Sequence, residues 1–416
     1  MNYSREDIVT LENIFSRFYE IGMTDMGGVT RLGYTETEDL MHSTFIEIAE
    51  ELGLTSYIDE AGNTFVANDE SKKDYYLMGS HLDSVVNGGR YDGVAGIVAG
   101  LLVFKWARDN GLNIPLRMAA WRCEESSNFG RSTLGSSLIT KQISAGDVMG
   151  LKSKDGKYLA DIFKERNYSM DPPKIHNVKQ YLELHIEQGK VLEEYGIRVG
   201  IVTDIAAPRR FRIHLHGQPE HSGATPMNMR FDALCAAAEL ILEIERIGKD
   251  ESYRNSVATV GVINNEPNVM NVVPGSVTIG VDLRGTVRES LDIMEKRMRE
   301  AVNYLSTKRS IPCFIEETSR ENPVKLDEDI QKKLRDCAEW LRISHKVMPS
   351  GAGHDAMCFA HITKAGMIFI PCAKGISHNK NEFTSLESIL DGARVMYEYY
   401  RREGESYDPD SERKSY

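Results

Sequence analysis

Short apolar runs that end in polar or glycine-rich segments recur along the chain and predict strands of a buried sheet. Residues 75–79 lead into SHLDSVVNGGRYDG, and residues 94–108 follow with helical spacing. Similar runs occupy residues 116–122 (LRMAAWR), 181–184 and 366–370 (GMIFI), and each is followed by charged or histidine-containing sequence. Buried strands whose carboxyl ends lead into polar loops are typical of an α/β sheet with its functional site along that edge.

The middle of the chain has a different pattern, in which apolar and polar residues alternate. Residues 211–216 and 277–283 alternate with the period of half-exposed antiparallel strands. Residues 232–247 and 291–305 have the periodicity of amphipathic helices. These alternating strands and amphipathic helices predict an α+β unit that interrupts the main sheet.

The length of 416 residues also favours two domains over one core. The sequence therefore predicts an α/β protein with a central mixed sheet, formed by residues 1–205 and 322–416. Residues 206–321 would form the inserted α+β domain between these two parts.

Composition narrows the classes of partner. The formal net charge of −12, with no run of basic residues, argues against nucleic acid and anionic membranes as partners. No apolar stretch approaches the length of a membrane span, and the first residues lack a signal-peptide pattern, so we expect a cytoplasmic protein. The six cysteines lie far apart, which suits isolated thiols in a reducing compartment. Cys123, beside two glutamates, is expected to be an ordinary strand residue.

The segment MGSHLDSVVNGGRYDGVAG, residues 78–96, places one histidine and two aspartates in a glycine-rich loop after a predicted strand. Asp83 follows His81 by two residues and would accept the second ring proton of a metal-bound histidine. The glycines around Asp92 allow the backbone to bring this carboxylate back toward His81. A histidine near a turn is more often a surface or capping residue, but together these features predict two metal ligands and an orienting carboxylate.

Two adjacent glutamates and two histidines follow the other predicted strands. Glu124 and Glu125 would repel each other at an apolar strand end unless a cation lay nearby; two solvated glutamates at the start of a loop are the alternative. One of them could bind a cation while the other moves protons. His185 in ELHIEQG and His378 in GISHNKNE complete a nitrogen and oxygen ligand set that suits zinc, manganese or cobalt. With one shared carboxylate, five such ligands could hold two ions about 3.5–4 Å apart and acidify a water for hydrolysis.

The motifs, taken in order, resemble those of one family. They are GSHLDSVVNGGRYDG, CEESSNFG, ELHIEQGKVLE, HSGATPM, NVVPG, DLRG, SGAGHDA and GISHNKNEF, within residues 26–399. The sequence resembles the amidase and carbamoylase branch of the M20 metallopeptidase superfamily, which includes N-carbamoyl-L-amino acid amidohydrolases, allantoate amidohydrolases and β-ureidopropionases. His185 points to this branch, since peptidase and deacylase members resemble one another in having an acidic ligand there.

The resemblance implies a dinuclear centre of two divalent ions, Zn²⁺, Mn²⁺ or Co²⁺, with one bridging carboxylate. The implied ligands are His81, Asp92 and His185 for one ion, and Asp92, Glu125 and His378 for the other. The resemblance further implies Glu124 as the general base and Asp83 as the residue that orients His81.

For the substrate, the resemblance implies contributions from Gln188, His221, Asn271, Arg284 and Gly351. Arg284 has the planar fork that grips a carboxylate with two hydrogen bonds; a surface ion pair is the alternative. Asn271 would donate to the same carboxylate or stabilise a turn, and Gly351 would offer a backbone N–H to an anion or form a plain turn. His221 would stabilise the developing oxyanion from the lid of the partner subunit, which implies a homodimer and makes the inserted domain a lid and dimerisation domain.

Some positions leave the substrate side chain open. Asn128 stands in SSNFGRSTLGS, where many relatives resemble one another in having an arginine. Arg209 and Arg210, in IAAPRRF, resemble the allantoate-type members. His354 lies in a family motif without an assignable chemical role.

The sequence thus predicts a dinuclear metal-dependent amidohydrolase that cleaves the ureido group of a small carboxylate, such as an N-carbamoyl-L-amino acid or allantoate, and releases ammonia and CO₂. A metal-dependent deacylase or dipeptidase acting on N-acyl amino acids is the nearest alternative, because both reactions attack a planar carbonyl. A noncatalytic binding protein on a hydrolase scaffold is the other alternative, which the intact Glu124 and five ligands disfavour.

Overall fold

The computed structural model of the protein describes residues 4–406. The helices are α1 Arg5–Tyr19, α2 Glu36–Glu51, α3 Val94–Asp109, α4 Leu134–Ile139, α5 Ala145–Val148, α6 Leu159–Glu165, α7 Val191–Glu194, α8 Ala233–Glu251, α9 Arg288–Arg309, α10 Glu328–Trp340, α11 Ala356–Ala360 and α12 Leu386–Ser406. The strands are β1 Thr55–Ile58, β2 Thr64–Ala67, β3 Tyr75–His81, β4 Leu116–Trp121, β5 Val178–Ile186, β6 Val199–Ile205, β7 Ala207–His216, β8 Val257–Glu266, β9 Ser276–Gly285, β10 Cys313–Arg320, β11 Val324–Lys325, β12 His345–Ser350 and β13 Lys364–Ile370. The chain divides into two compact units, the second formed by Asp204–Val324 and Pro349–Gly353.

The first unit is built around a mixed sheet with the strand order β1-β2-β4-β3-β5-β13-β6-β11, and β12 lies beside β6. The central strands β4, β3, β5 and β13 are parallel to one another, whereas β1 and β2 on one side and β6 on the other pair antiparallel. Strands that are covered on both faces are almost continuously apolar, as in LRMAAW of β4. The parallel order brings the carboxyl ends of the central strands to one edge.

Helix α3 connects this edge to the interior of the first unit. It is buried along nearly its whole length and shares one apolar core with α1, α10, α12 and the sheet. Gly93, immediately before it, has φ +67°, and a Cβ there would lie 2.5 Å from the carbonyl oxygen of His81. The glycine therefore allows α3 to begin directly after Asp92 while the backbone lies against His81.

The second unit contains the antiparallel sheet β10-β7-β9-β8. Helices α8 and α9 share its apolar core, and every second residue of β9 is buried, as expected for a sheet covered on one face. Strand β8 lies at one edge of this sheet, and its side chains Val257, Val262 and Ile263 are each about half exposed. Apolar side chains on an edge strand favour pairing with another chain.

The predicted fold class is confirmed: a central mixed sheet and a second, smaller α+β unit are both present. The helix predicted at residues 94–108 is α3, and those predicted at 232–247 and 291–305 are α8 and α9, each longer by a few residues. Residues 1–3 and 407–416 of the predicted first domain lie outside the described residues. Across residues 4–406, no helix combines the length and apolarity needed to cross a membrane.

Candidate active site

The predicted ligands lie at the carboxyl edge of the first unit's central strands. His81 is the last residue of β3, Glu125 follows β4, His185 is next to last in β5, and His378 follows β13. Asp92 is contributed by the loop between β3 and α3. Since the strands are parallel, this edge collects side chains that are distant in sequence.

His81, Asp92 and His185 form the first candidate metal-binding group. The Nε2 atoms of His81 and His185 lie 3.2 and 3.0 Å from Asp92 Oδ1, and 3.4 Å from each other. All three side chains are buried. Nδ1 of His185 lies 2.9 Å from the carbonyl oxygen of Ile186, which directs Nε2 toward Asp92.

Asp92, Glu125 and His378 form the second group. Nε2 of His378 lies 3.0 Å from Glu125 Oε1 and 3.5 Å from Asp92 Oδ2. Asp92 therefore presents one carboxylate oxygen to each group, as a bridging ligand would. The His378 side chain is 49% exposed, and its backbone has a left-handed φ of +54°, a strained conformation that is common at functional sites.

The chemistry of the two groups fits divalent cations. Imidazole nitrogen and carboxylate oxygen are the ligands that zinc and manganese accept in proteins. Asp92 Oδ1 is buried and accepts no hydrogen bond from the described residues, which is unusual for a buried carboxylate oxygen unless a cation contacts it. Burial raises the pKa of Glu124, and the neighbouring Glu125 carboxylate raises it further. A bound cation would relieve this crowding of buried carboxylates.

Asp83 joins His81 to the loop that carries the two glutamates. Its Oδ1 lies 3.4 Å from His81 Nδ1, which also faces the Asp83 carbonyl oxygen at 3.2 Å. The backbone N–H groups of Glu124 and Glu125 donate to its two carboxylate oxygens, each at 3.0 Å. Glu124 belongs to neither metal-binding group, and its Oε2 lies 3.8 Å from His81 Nε2, directly beside the first group.

Glu38, on α2, supports the same loop and was missed by the sequence reasoning. Its Oε1 accepts the backbone N–H of Cys123 at 2.8 Å, and its Oε2 pairs with Arg122 Nη1 at 2.8 Å. Burial raises the pKa of Glu38 to about 7, against the opposing effect of Arg122. Cys123 lies two residues past the end of β4, so the expectation of a strand residue was wrong, and burial raises the pKa of its thiol well above the usual value.

Three polar side chains lie next to the second group. Gln188 Nε2 donates to Asp92 Oδ2 at 2.7 Å and lies 3.4 Å from His378 Nε2. The Ser377 hydroxyl lies 2.8 Å from the same oxygen of Asp92 and 3.0 Å from Glu382 Oε2. Gln188 was predicted, whereas Ser377 and Glu382 were not singled out although both lie in the quoted GISHNKNEF motif.

The other predicted substrate residues lie in the second unit, in two neighbouring pairs. The backbone N–H of Ser222, next to His221, donates to the carbonyl oxygen of Asn271 at 3.0 Å. His221 Nδ1 accepts N–H groups of its own turn. Arg284 Nη1 donates to the carbonyl oxygen of Gly351 at 3.3 Å, so this glycine contacts the arginine through its carbonyl rather than its N–H.

Arg209 and Arg210 have different surroundings in the second unit. Arg209 is buried and pairs with Asp292 and Glu295 of α9, at 2.6 and 2.9 Å, so its guanidinium is committed to structure. Arg210, the next residue of β7, lies 3.6 Å from Asp282 and is 39% exposed. Of the two, only Arg210 keeps a guanidinium that solvent reaches.

Asn128 and His354 both have structural roles. The Asn128 amide donates to the Gly33 carbonyl at 2.8 Å and accepts the Lys154 N–H at 3.1 Å, which ties two loops together. The buried His354 ring packs edge-on against His185, with 4.5 Å between ring centres. Burial lowers the pKa of His354 well below the usual value, so a neutral ring packs behind a predicted ligand.

The fold and the site together define a two-unit α/β protein with a candidate metal centre. Residues 77–402 match the family described as Peptidase family M20/M25/M40. The chain belongs to this family, and it is a hydrolase that acts on C–N amide bonds.

The chain is also similar over most of its length to individual proteins. The chain is 39% identical over 378 residues to an uncharacterized hydrolase of Haemophilus influenzae, covering 88% of this chain and 92% of the relative. It is 34% identical over 385 residues to an allantoate amidohydrolase of Bacillus subtilis, covering 91% and 93%. The crystal structure of an amidase of the hydantoinase/carbamoylase family from Burkholderia multivorans is similar with a TM-score of 0.88 and 32% identity, covering 95% of this chain and 97% of that chain. The predicted family and its carbamoylase branch are confirmed.

Proposed function

We propose that the protein hydrolyses the ureido group of a small carboxylate, such as an N-carbamoyl-L-amino acid or allantoate. The observation that carries the proposal is the convergence of two groups of ligands on the two oxygens of the buried Asp92, with Glu124 beside them. The similarity to an allantoate amidohydrolase and to a carbamoylase-family amidase supports a ureido substrate over an acyl one.

Two divalent ions, Zn²⁺, Mn²⁺ or Co²⁺, would be held by this centre. The ligands would be His81, Asp92 and His185 for one ion, and Asp92, Glu125 and His378 for the other. Bound ions of this kind acidify water and polarise a carbonyl oxygen. Asp83 keeps the His81 ring in place, and the Ile186 carbonyl does the same for His185.

Glu124 would carry the proton of the reaction. Its buried position raises the pKa of its carboxyl, which suits a group that takes a proton and later releases it. The oxygen of one water bonds to the carbamoyl carbon, and Glu124 accepts a proton of that water. One of the two C–N bonds of the carbamoyl carbon then breaks, and Glu124 returns the proton to the nitrogen that leaves. The carbamate that remains decomposes, so the products are the amine, ammonia and carbon dioxide.

The substrate residues would have three roles: binding the carboxylate, contacting the ureido amide and stabilising the oxyanion. Arg284, with Asn271 and Gly351, would anchor the carboxylate, since a guanidinium fork binds a carboxylate with two hydrogen bonds. Gln188 would face the ureido amide, and its position 2.7 Å from Asp92 Oδ2 supports this. His221 would donate to the developing oxyanion.

We also propose a homodimer, with residues 206–321 as the lid and dimerisation domain and His221 serving the partner's site. The half-exposed Val257, Val262 and Ile263 on the edge strand β8 support this arrangement. An apolar edge strand gains backbone hydrogen bonds and burial when a second copy pairs with it.

Ammonia release tests the proposed reaction. Protein loaded with Mn²⁺, Co²⁺ or Zn²⁺ is assayed on N-carbamoyl-L-amino acids, allantoate and β-ureidopropionate, with N-acetyl amino acids as matched substrates. We expect ammonia from at least one ureido substrate and a rate about 10²–10⁴-fold lower in Glu124→Gln. Cleavage of the N-acetyl substrates alone would identify the protein as a deacylase and refute the proposal.

A further inference from the structure

Ser377 and Glu382 contact Asp92, and the proposed reaction uses neither of them. Glu382 is 5% exposed, and its Oε1 accepts the backbone N–H groups of Tyr91 and Asp92, each at 2.9 Å. Its Oε2 lies 3.0 Å from the Ser377 hydroxyl, and that hydroxyl lies 2.8 Å from Asp92 Oδ2. Ser377 and Glu382, here called the Asp92 clasp, therefore hold both the backbone and the carboxylate of the shared ligand.

The loop before Asp92 is shaped around the Glu382 carboxylate. A Cβ on Gly89 would lie 2.0 Å from that carboxylate, so only glycine permits this approach. Glu382 accepts two backbone N–H groups through Oε1, and its Oε2 lies beside the Ser377 hydroxyl. Burying a carboxylate is costly unless such hydrogen bonds compensate. A role in holding Asp92 explains a glutamate at this position.

The clasp also determines which oxygen of Asp92 faces which group. The terminal torsion of an aspartate is broad, so the carboxylate rotates freely unless donors hold it. Oδ2 accepts hydrogen bonds from Ser377 and Gln188, whereas Oδ1 accepts none from the described residues and faces His81 and His185. Ser377 directly precedes His378, so one hydroxyl links the shared carboxylate to the most exposed of the predicted ligands.

We propose that Ser377 and Glu382 are positioning residues of the centre: together they set the rotation of the Asp92 carboxylate and its place beside His378. The inference rests on the proposed metal centre. Neither residue belongs to a metal-binding group, so both act through Asp92. Hydrogen-bond partners of metal ligands commonly account for about 10–100-fold in metal affinity.

Calorimetric titration with Mn²⁺ tests the clasp, using full-length protein stripped by a chelator. We expect Ser377→Ala and Glu382→Ala to bind Mn²⁺ about 10–100-fold more weakly than the wild type. Glu382→Gln should restore most of the affinity, because its amide oxygen still accepts the two N–H groups and its NH₂ donates to Ser377. With saturating Mn²⁺, Ser377→Ala should lower kcat more than it raises KM, since Ser377 is not a substrate contact.

Two control variants separate positioning from general stability. Asp327→Ala removes a carboxylate that accepts the Ile330 N–H at 3.0 Å, and Ser385→Ala removes a hydroxyl that accepts the Ser388 N–H at 3.1 Å. Neither touches a predicted ligand, so both should keep the wild-type Mn²⁺ affinity whatever their thermal stability. Native Mn²⁺ affinity in Ser377→Ala and Glu382→Ala, or an equal loss of affinity in the controls, would refute the positioning role of Ser377 and Glu382 but not the metal centre. A wild type that binds no Mn²⁺ would refute the metal centre and the clasp with it.

Discussion

Replacing Asp83 with asparagine tests how the glutamate loop and His81 are held together. The carboxylate is buried, and each of its oxygens accepts one backbone N–H, from Glu124 and from Glu125. Asparagine keeps one acceptor and turns an NH₂ group toward the other N–H. The buried N–H that loses its acceptor is left unsatisfied, at about 1–3 kcal/mol, and the other N–H now donates to a neutral oxygen, which weakens that bond by about 1 kcal/mol. Relief of repulsion with Glu124 offsets part of this sum, so we expect a loss of stability of about 2 kcal/mol.

The effect of Asp83→Asn on metal binding should be smaller than its effect on the reaction. The His81 ring keeps a contact, because its Nδ1 also faces the Asp83 carbonyl oxygen at 3.2 Å. We therefore expect Mn²⁺ affinity to fall by about tenfold, the lower end for such partners. The rate with saturating Mn²⁺ should fall further, because the loop that carries Glu124 and Glu125 keeps only one of its two hydrogen bonds to the side chain at position 83.

Denaturant unfolding, Mn²⁺ calorimetry and ammonia release measure these three effects. Asp59→Asn is the matched control, since it also turns an amide NH₂ toward a donor, Asn63 Nδ2, which lies 2.8 Å from Asp59 Oδ2. That control should lose stability while it keeps the Mn²⁺ affinity and kcat of the wild type. A stable Asp83→Asn variant with native kcat would refute the role given to Asp83.

Further expectations concern the proton carrier, the substrate anchor, the lid and the ions. Glu124→Gln should lower kcat by about 10²–10⁴-fold without lowering the thermal midpoint, measured by ammonia release and calorimetry; near-native kcat would exclude Glu124 as the base. Arg284→Ala should lower kcat/KM by about 10–100-fold, mainly through KM, while Arg210→Ala should not; equal effects would remove Arg284 as the carboxylate anchor. His221→Ala should lower kcat by about 10²–10³-fold and leave a dimer of twice the 46.8 kDa chain mass in light scattering; a monomeric wild type would contradict the proposed dimer. Chelation should lower the thermal midpoint, and added Mn²⁺ should restore it, because a ligand that binds only the folded state stabilises it; an unchanged midpoint would argue against bound ions.

The central sheet, and the position of the candidate ligands at the carboxyl ends of its strands, could be predicted from the sequence. Apolar runs such as LRMAAWR and GMIFI are long enough to identify buried strands, and parallel strands bring their carboxyl ends together. The predicted ligands His81, Glu125 and His185 are thus placed side by side by topology alone.

Supporting residues could not be predicted, because their partners lie far away in sequence and follow no period. Glu38 and Cys123, which form a hydrogen bond, lie 85 positions apart in the sequence, and the hydrogen-bonded residues Arg209 and Glu295 lie 86 apart. Arg209 resembles the allantoate-type members in sequence, and its ion pairs within the second unit explain its presence. Glu382 lay inside a quoted motif, but only the three-dimensional structure shows that it holds the backbone of Asp92.

Anomalous X-ray diffraction from crystals of the Mn²⁺-loaded protein tests the central claim most directly. The account predicts two manganese peaks about 3.5–4 Å apart, one on each side of the Asp92 carboxylate. One peak should lie within bonding distance of His81 and His185, and the other within bonding distance of Glu125 and His378. A single peak that excludes Asp92, or no peak at this edge of the sheet, would contradict the shared-carboxylate centre on which the proposed reaction depends.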